Sequence, residues 1–313
     1  MGKRLKAKAG KGSGKLANAL ARHQAAEKVH KDTVAKQAKV AEQKKSVPKK
    51  VRENQEAQKQ NQKEFLPFTK DNYVMLVGEG DFSFALSIVE QGYVKPTRLI
   101  VTSFDNSPSE LKLKYPNTFE SNYNDLLNIH KVKMFFKVDA TSILKSLKLT
   151  PKTVWKTLGV PKIDVIMFNF PHTGRGMKDQ DRNIRDHQML VLGYFKSSIE
   201  LFKLYNSTAM KNDVSLNVVT QHTATEPKIV LSVFEGEPYD SWAIKSLSKT
   251  LGLHVERSGA FQWELFPQYH HRRTNSEQDT TKKANERKAR IYVFEKFKRA
   301  SKKKAADSDS DDE

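Results

Sequence analysis

Residues 73–81, with the sequence YVMLVGEGD, decide how this chain folds. Five apolar residues lead directly into Gly78, and such a short apolar run is typical of a strand that is buried on both faces of a sheet. From Phe82 to Glu90 the apolar residues recur at the spacing of one helical face, and Gly92 can end the helix. The stretch therefore predicts a β-strand, a tight glycine turn and an α-helix in that order.

The same alternation of apolar runs and helix-like spans continues toward the C-terminus. Short apolar strands that alternate with helices are typical of a parallel sheet covered on both faces. We therefore predict an α/β protein of the Rossmann-like type, with a mostly parallel sheet and helices on both faces. The further predicted strands are residues 99–104, 133–138, 163–168 and 216–220, with 254–255 and 291–294 as candidates for the terminal strands.

The two ends of the chain differ in composition from its centre. Residues 1–64 contain 18 Lys and Arg, 6 Asp and Glu, and no Phe, Tyr or Trp. So little apolar surface cannot offset the entropy of ordering the chain, and we expect a basic arm that is disordered or partly helical. The packed domain is expected at residues 65–300, followed by a charged tail of acidic residues and serines at 301–313.

The net charge of +19 over 313 residues indicates a polyanionic partner, because both the arm and the central part are basic. A basic run at residues 44–52 fits a nuclear import or nucleolar retention signal. The chain has no cysteine, which excludes disulfides, thiolate zinc sites and cysteine nucleophiles. No stretch approaches the roughly 18 consecutive apolar residues of a membrane-spanning helix, so no membrane association is expected.

Ligands of open α/β sheets bind beyond the carboxyl ends of the strands, so the residues that follow each predicted strand form the candidate site. Two glycines after the first strand let the backbone approach a nucleoside, although a turn needed only for strand and helix geometry is an alternative. Asp105 is placed to bind ribose hydroxyls and Asp139 to approach the adenine amine. The candidate cofactor-binding residues are Gly78, Glu79, Gly80, Asp81, Asp105, Asp139 and Ala140.

The residues of the glycine turn indicate which class of ligand it binds. Phe82 stands where a dinucleotide-binding motif has its third glycine. Glu79 and Asp81 would repel a pyrophosphate and attract a sulfonium or an amino group. The turn therefore favours an adenosyl sulfonium over a dinucleotide. Another Rossmann-type enzyme, such as an aminopropyl transferase or an NAD-dependent reductase, stays open as an alternative.

Four segments carry a resemblance to a known family: LVGEGDFSF at 76–84, FNFPHTG at 168–174, GEPYDSW at 236–242 and HRRT at 271–274. Together they resemble the Rossmann-like ribosomal-RNA methyltransferases that modify uridine at N3 in the large-subunit (25S) RNA of fungi. The resemblance covers roughly residues 65–275. It implies a class I methyltransferase fold, S-adenosylmethionine as the cofactor, ribosomal RNA and preribosomal particles as partners, and a role in ribosome biogenesis in the nucleolus of the nucleus.

Two positions depart from the general methyltransferase pattern. Leu76 stands where an acid often precedes the first glycine, and Phe82 replaces the third glycine. A non-catalytic, RNA-binding ribosome assembly factor with the same fold is therefore the alternative to an enzyme.

The segment from Asn169 to His172 resembles the Asn-Pro-Pro-aromatic signature of nitrogen methyltransferases. The Asn169 carbonyl would hold a flipped base by its N–H edge, and Pro171 would stiffen the loop. His172 is suited to accept the N3 proton near neutral pH, although a histidine that only binds the backbone is the alternative. No metal site is expected. The candidate residues are Asn169 and His172 for catalysis, and Phe170, Pro171, Thr173, His271, Arg272 and Arg273 for substrate binding.

Overall fold

A computed structural model of the protein describes residues 64–177, 179–212, 226–272, 274 and 284–296. Within these ranges the strands are β1 (Val74–Val77), β2 (Leu99–Thr102), β3 (Lys133–Phe135), β4 (Val165–Asn169), β5 (Lys228–Phe234), β6 (Leu253–Ala260) and β7 (Ala289–Lys296). They form one seven-stranded sheet with the order β3-β2-β1-β4-β5-β7-β6. The first five strands are parallel, and β7 runs antiparallel to both of its neighbours.

The helices vary widely in length, from one turn to the 33 residues of the longest. The α-helices are α1 (Ser83–Glu90), α2 (Pro108–Lys114), α3 (Phe119–Asn124), α4 (Ile143–Ser146), α5 (Val154–Leu158), α6 (Gln180–Asn212) and α7 (Ile244–Thr250). Short 3-10 helices span Pro96–Arg98, Asp240–Trp242, Trp263–Leu265 and Ala284–Glu286, and a π-helical turn spans Asp125–Ile129. No helix in the described ranges has both the length and the apolar character needed to cross a membrane.

The hydrophobic core lies in two layers, one on each face of the sheet. Side chains of a strand alternate between the two faces, and accordingly Val74 and Leu76 belong to one layer while Met75 and Val77 belong to the other. Helix α1 covers the first layer and the long helix α6 covers the second. The prediction of a Rossmann-like, mostly parallel sheet with helices on both faces is confirmed.

The order of the strands determines where in the sheet the candidate site lies. From β1 the chain moves outward through β2 to β3 and then returns to β4 on the other side of β1. This reversal leaves a crevice beyond the carboxyl ends of β1 and β4, where Val77 lies opposite Phe168. The glycine turn and the loop that begins at Asn169 therefore meet at one edge of the sheet.

The predicted strands at 99–104, 133–138, 163–168, 254–255 and 291–294 all overlap observed strands. Strand β5, with the sequence KIVLSVF, was not predicted from the sequence. The predicted strand at 216–220 lies outside the described residues. Because both segments are short apolar runs rich in β-branched residues, periodicity alone does not choose between them. The arm before Glu64, the tail at 301–313 and Arg273 also lie outside the described residues.

Helix α1 begins one residue later than predicted, because Phe82 adopts a left-handed backbone conformation with φ 63°. Asp81 precedes the helix, and its Oδ1 accepts the backbone N–H of Ser83, the first helical residue, at 3.1 Å. The Phe82 ring is fully buried, 5.4 Å from the ring of Phe119. Aromatic packing thus fills the space at the position of the third glycine. Gly92 follows the helix with φ 66°, as its predicted role as a stop requires.

Candidate active site

A cavity of about 1010 Å³ opens at the carboxyl ends of β1 to β4. Its size falls at the upper end of the range for small-molecule sites, roughly 300–1,000 Å³. Pro171 does not line it, and Arg273 lies outside the described residues. The sequence-predicted residues that do line it are Gly78, Glu79, Gly80, Asp81, Asp105, Asp139, Ala140, Asn169, Phe170, His172, Thr173, His271 and Arg272.

A side chain would clash with its surroundings at the first glycine of the turn and would be tightly packed at the second. Gly78 has φ 72°, and a Cβ placed on it would lie 2.4 Å from Cε2 of Phe168. A Cβ on Gly80 would lie 3.1 Å from the hydroxyl oxygen of Tyr115. The turn therefore brings bare backbone to the cavity wall, which is the arrangement that close approach to a ligand requires.

Glu79 is an acid that lines the cavity but is only 8% exposed. Burial, together with the negative charge of Asp81, raises the pKa of Glu79 to about 8, while a hydrogen bond from the backbone N–H of Ala85 acts in the opposite direction. The group is thus largely protonated near neutral pH. A cation bound beside it would favour its ionised form.

Both carboxylate oxygens of Asp81 accept hydrogen bonds from the protein. Oδ1 accepts the hydroxyl of Ser83 at 2.6 Å, and Oδ2 accepts the hydroxyl of Thr118 at 3.0 Å. Arg272 was predicted to bind RNA, but its Nε lies 3.7 Å from Asp81 Oδ2 and the side chain is only 22% exposed. Asp81 therefore shapes the turn and holds Arg272 against the cavity wall.

Asp105 follows β2 and is buried beside the cavity. Its Oδ1 forms an ion pair with Lys114 Nζ, which also lies 3.5 Å from a carboxylate oxygen of Glu110. No sequence pattern indicates Lys114, because its contact with Asp105 depends on how α2 packs against the end of β2. The ion pair fixes the carboxylate at the cavity wall.

Asp139 follows β3 and organises the start of the next helix. Its Oδ1 accepts both the backbone N–H and the hydroxyl of Thr141, each at 2.8 Å. Gly193 of α6 passes close to this turn, and a Cβ there would lie 2.7 Å from Cβ of Thr141. The turn thus holds Asp139 and the buried Ala140 at the cavity wall.

Two large apolar side chains at the cavity are exposed, and neither was among the sequence-predicted site residues. Phe104 is 69% exposed and Met189 is 67% exposed. Phe104 could have been found, since it precedes Asp105 at the end of a predicted strand. Nothing in the sequence distinguishes Met189 from other apolar residues of α6.

Asn169 is the last residue of β4, and only the oxygen of its side-chain amide has a hydrogen-bond partner among the described residues. Oδ1 accepts the hydroxyl of Ser232 at 2.7 Å, whereas Nδ2 is buried and has no hydrogen-bond partner among the described residues. The sequence prediction assigned the carbonyl of Asn169 to the base. That carbonyl accepts one hydrogen bond, from Ser232, and the amide nitrogen makes none among the described residues.

Phe170 is packed into the protein as well as lining the cavity. Its backbone is left-handed, with φ 47°, and its ring lies 4.5 Å from Phe234 and 4.9 Å from His271. A stack with Trp263 completes this aromatic wall. Phe170 therefore acts as a rigid wall beside Asn169, not as a free ring that closes on a base.

His172 accepts a hydrogen bond at the nitrogen nearer the backbone. Nδ1 lies 2.9 Å from the N–H of Gly174, so the neutral ring carries its proton on Nε2. Desolvation and the nearby His187 lower the pKa of His172, while the carboxylate of Asp186 acts in the opposite direction. The predicted role as a proton acceptor would require the bond from Gly174 to break. As it stands, His172 offers an Nε2–H donor.

His187 holds the loop after β4 and is itself fixed by Asn183 and Trp242. His187 accepts the N–H of Thr173 at Nε2 and bonds the carbonyl of Asn183 through Nδ1. Its ring stacks on the buried Trp242 with centroids 4.6 Å apart. Trp242 belongs to the segment GEPYDSW and Thr173 to FNFPHTG, so His187 links two of the four motif segments.

Residues 75–273 match the family model described as rRNA (uridine-N3-)-methyltransferase BTM5-like. The chain belongs to this family. A BTM5-like relative from Saccharomyces cerevisiae, named 25S rRNA (uridine(2634)-N(3))-methyltransferase, is 47% identical over 340 aligned positions, which cover 99% of this chain and 100% of the relative. Family membership confirms the predicted resemblance and identifies the protein as a methyltransferase.

Solved structures resemble this BTM5-like chain more distantly. A 30S ribosomal A1408 methyltransferase from an uncultured bacterium is 9% identical, with a TM-score of 0.34 over 73% of this chain and 89% of that one. An antibiotic-related methyltransferase is 10% identical, with a TM-score of 0.36 over 72% of this chain and 87% of that one.

Proposed function

We propose that the protein transfers a methyl group from S-adenosylmethionine to N3 of a uridine in large-subunit (25S) ribosomal RNA. The main support is the convergence of four strand ends on one cavity, together with the family and the name of the Saccharomyces cerevisiae relative. Acidic residues follow β1, β2 and β3 at that cavity, and the asparagine loop follows β4 on the same edge.

The cavity fits S-adenosylmethionine, which supplies an electrophilic methyl group on a positively charged sulfur. Gly78 and Gly80 leave bare backbone at the wall, and a Cβ on either would contact Phe168 or Tyr115. The acidic side chains there suit a cation and disfavour a pyrophosphate. Asp105 would hold the ribose, Asp139 and Ala140 would face the adenine, and the exposed ring of Phe104 offers a stacking surface beside Asp105.

The loop after β4 would present the base. Phe170 gives a fixed wall, and Pro171 and Thr173 keep the loop in shape, the latter through His187. His172 would donate from Nε2 to the bound RNA. His271 joins the same wall through its contact with Phe170. This assignment keeps Asn169, Phe170, Thr173 and His271 at the base-binding side of the cavity and gives His172 a donor role.

The charge of the chain supports RNA, in preribosomal particles, as the partner. Both the first 64 residues and the central part carry an excess of Lys and Arg, which suits sequence-independent phosphate contact. Ribosomal RNA is assembled into particles in the nucleolus, so we propose a nuclear and nucleolar location.

Methylation at N3 blocks the Watson–Crick edge, and a reverse-transcription stop therefore tests the proposal. Full-length protein and S-adenosylmethionine should create one new stop in large-subunit RNA purified from cells that lack the protein. Calorimetric titration should show binding of S-adenosylmethionine to the protein alone. Tight RNA binding without any S-adenosylmethionine binding would instead support the assembly factor.

A further inference from the structure

We infer that the side-chain amide of Asn169 donates a hydrogen bond to O4 of the bound uridine, and that this contact selects uridine over cytidine. The inference rests on the proposed function and assigns the atom that recognises the base. It reverses the polarity expected from the Asn-Pro-Pro-aromatic signature, in which the asparagine accepts a hydrogen bond.

The orientation of the amide follows from the sheet. Asn169 of β4 and Ser232 of β5 are directly opposite each other in the parallel register. Ser232 is fully buried and donates its hydroxyl to Asn169 Oδ1 at 2.7 Å, while its carbonyl accepts the N–H of Phe170 at 2.8 Å. These contacts from one residue fix both the side chain of Asn169 and the direction in which the chain leaves the strand.

The amide nitrogen is then the unsatisfied group. Asn169 Nδ2 is buried without a partner among the described residues, and Asn169 lines the cavity. Buried donors in folded proteins are nearly always paired, so an orphan at a cavity wall indicates an acceptor on the ligand. Uridine presents acceptors at O4 and O2, on either side of N3.

Only one of these two oxygens distinguishes the pyrimidines. Cytidine carries an amino group at C4, where uridine has the acceptor O4, while O2 is common to both. A fixed donor facing that amino group would leave two donors head to head in a buried site. A contact to O4 therefore rejects cytidine, whose N3 has an unshared pair and would otherwise accept a methyl group.

The same contact assists the reaction. The N3–H bond breaks with transfer of the proton to water, and the electron pair stays on the base, shared among N3, O4 and O2. The N–H of Asn169 stabilises the negative charge that develops on O4. The pair on N3 then forms the bond to the methyl carbon while the carbon–sulfur bond breaks and its electrons remain on sulfur. Asn169 itself neither gains nor loses a proton.

The first test replaces the donor while keeping the shape. In Asn169→Asp one carboxylate oxygen still accepts the Ser232 hydroxyl, and the other takes the place of the NH₂ group. The rate on uridine RNA should fall about 10²–10³-fold, as for the loss of one oxyanion-hole donor. The ratio of rates for RNA with uridine and with cytidine at the target position should fall by the same order, and S-adenosylmethionine affinity should be retained.

A second test uses the unchanged protein, so that it does not depend on folding of the variant. RNA with 4-thiouridine at the target position should react at least about tenfold more slowly than RNA with 2-thiouridine, because sulfur is the poorer acceptor and only O4 is contacted. The 2-thio RNA controls for the effect of sulfur on N3.

Equal rates for the two thio substrates would overturn the inference, as would an unchanged uridine-to-cytidine ratio in a folded Asn169→Asp protein. Failure of the unchanged protein to methylate uridine RNA would overturn the proposed function itself.

Discussion

The ring of Phe170 stacks on the ring of Trp263, with centroids 5.6 Å apart and planes 10° apart. Phe170 follows Asn169 directly and has a left-handed backbone, so this stack holds a strained residue at the end of β4. Phe234 of β5 and Phe261 close the same wall. The position of the asparagine therefore depends on aromatic packing between segments far apart in sequence.

Removal of the ring at Phe170 should destabilise the protein. We expect Phe170→Ala to lower the free energy of unfolding by about 3 kcal/mol, the lower end for a phenylalanine lost from a packed site. Urea unfolding measures this value. Phe104→Ala removes an exposed ring and should change the same free energy by less than about 0.5 kcal/mol while weakening S-adenosylmethionine binding. Similar destabilisation by both changes would contradict the wall assigned to Phe170.

Substitutions at two glycines with positive φ can distinguish the cost of backbone strain from the effect of a clash with a neighbouring side chain. Gly78 has φ 72° and Gly92 has φ 66°, but only at Gly78 would a Cβ meet another atom within 4 Å. Gly92→Ala should cost about 1 kcal/mol of stability and leave cofactor affinity unchanged. Gly78→Ala should abolish S-adenosylmethionine binding in calorimetry, because Phe168 must move. Normal affinity in Gly78→Ala would show that the turn does not contact the ligand.

Asp105 should bind the cofactor through its carboxylate. We expect Asp105→Asn to raise the Kd for S-adenosylmethionine about 10- to 100-fold, the loss of one hydrogen bond to a charged group. Asp71→Asn is the matched control, since Asp71 also pairs with lysine but is 77% exposed and remote from the cavity. Its Kd should equal that of the unchanged protein. If both variants and the unchanged protein bound S-adenosylmethionine with equal affinity, Asp105 would not be part of the cofactor site.

The buried carboxyl of Glu79 should make stability depend on pH. Its pKa rises from 4.5 to about 8 on folding, mainly through burial, so the folded chain binds the extra proton between these values. The stability that the protonated Glu79 carboxyl contributes is fully present below pH 4.5 and is lost as the pH rises through 8. Glu79→Gln should therefore gain stability relative to the unchanged protein across this window, reaching on the order of 4 kcal/mol at pH 8. Parallel urea-unfolding curves at all pH values would contradict this.

The two roles considered for His172 predict different methylation rates for the same pair of variants. If Nε2–H donates to RNA, His172→Gln supplies an amide N–H and should keep kcat within about tenfold, whereas His172→Ala should lose about 10²-fold. If His172 instead accepts the N3 proton, both variants should lose activity to the same extent. The measurement is the single-turnover rate of methylation, with S-adenosylmethionine affinity as the control for folding.

The sequence alone determined the fold class and the region of the site. An apolar run, a glycine turn and a helical repeat are local patterns, and parallel strands must end at a common edge of the sheet. For this reason the sequence predicts that Gly78, Asp105, Asp139 and Asn169 lie together, and they line one cavity.

Only the tertiary structure decided which atoms at that edge are available. Asn169 Oδ1 is taken by a serine 63 positions away, and Arg272 lies inward beside Asp81. The proton on His172 is placed by the loop backbone, and the location of β5 by its pairing with β4. Hydrogen-bond partners and packing contacts of this kind depend on distances between residues remote along the chain, which no local pattern records.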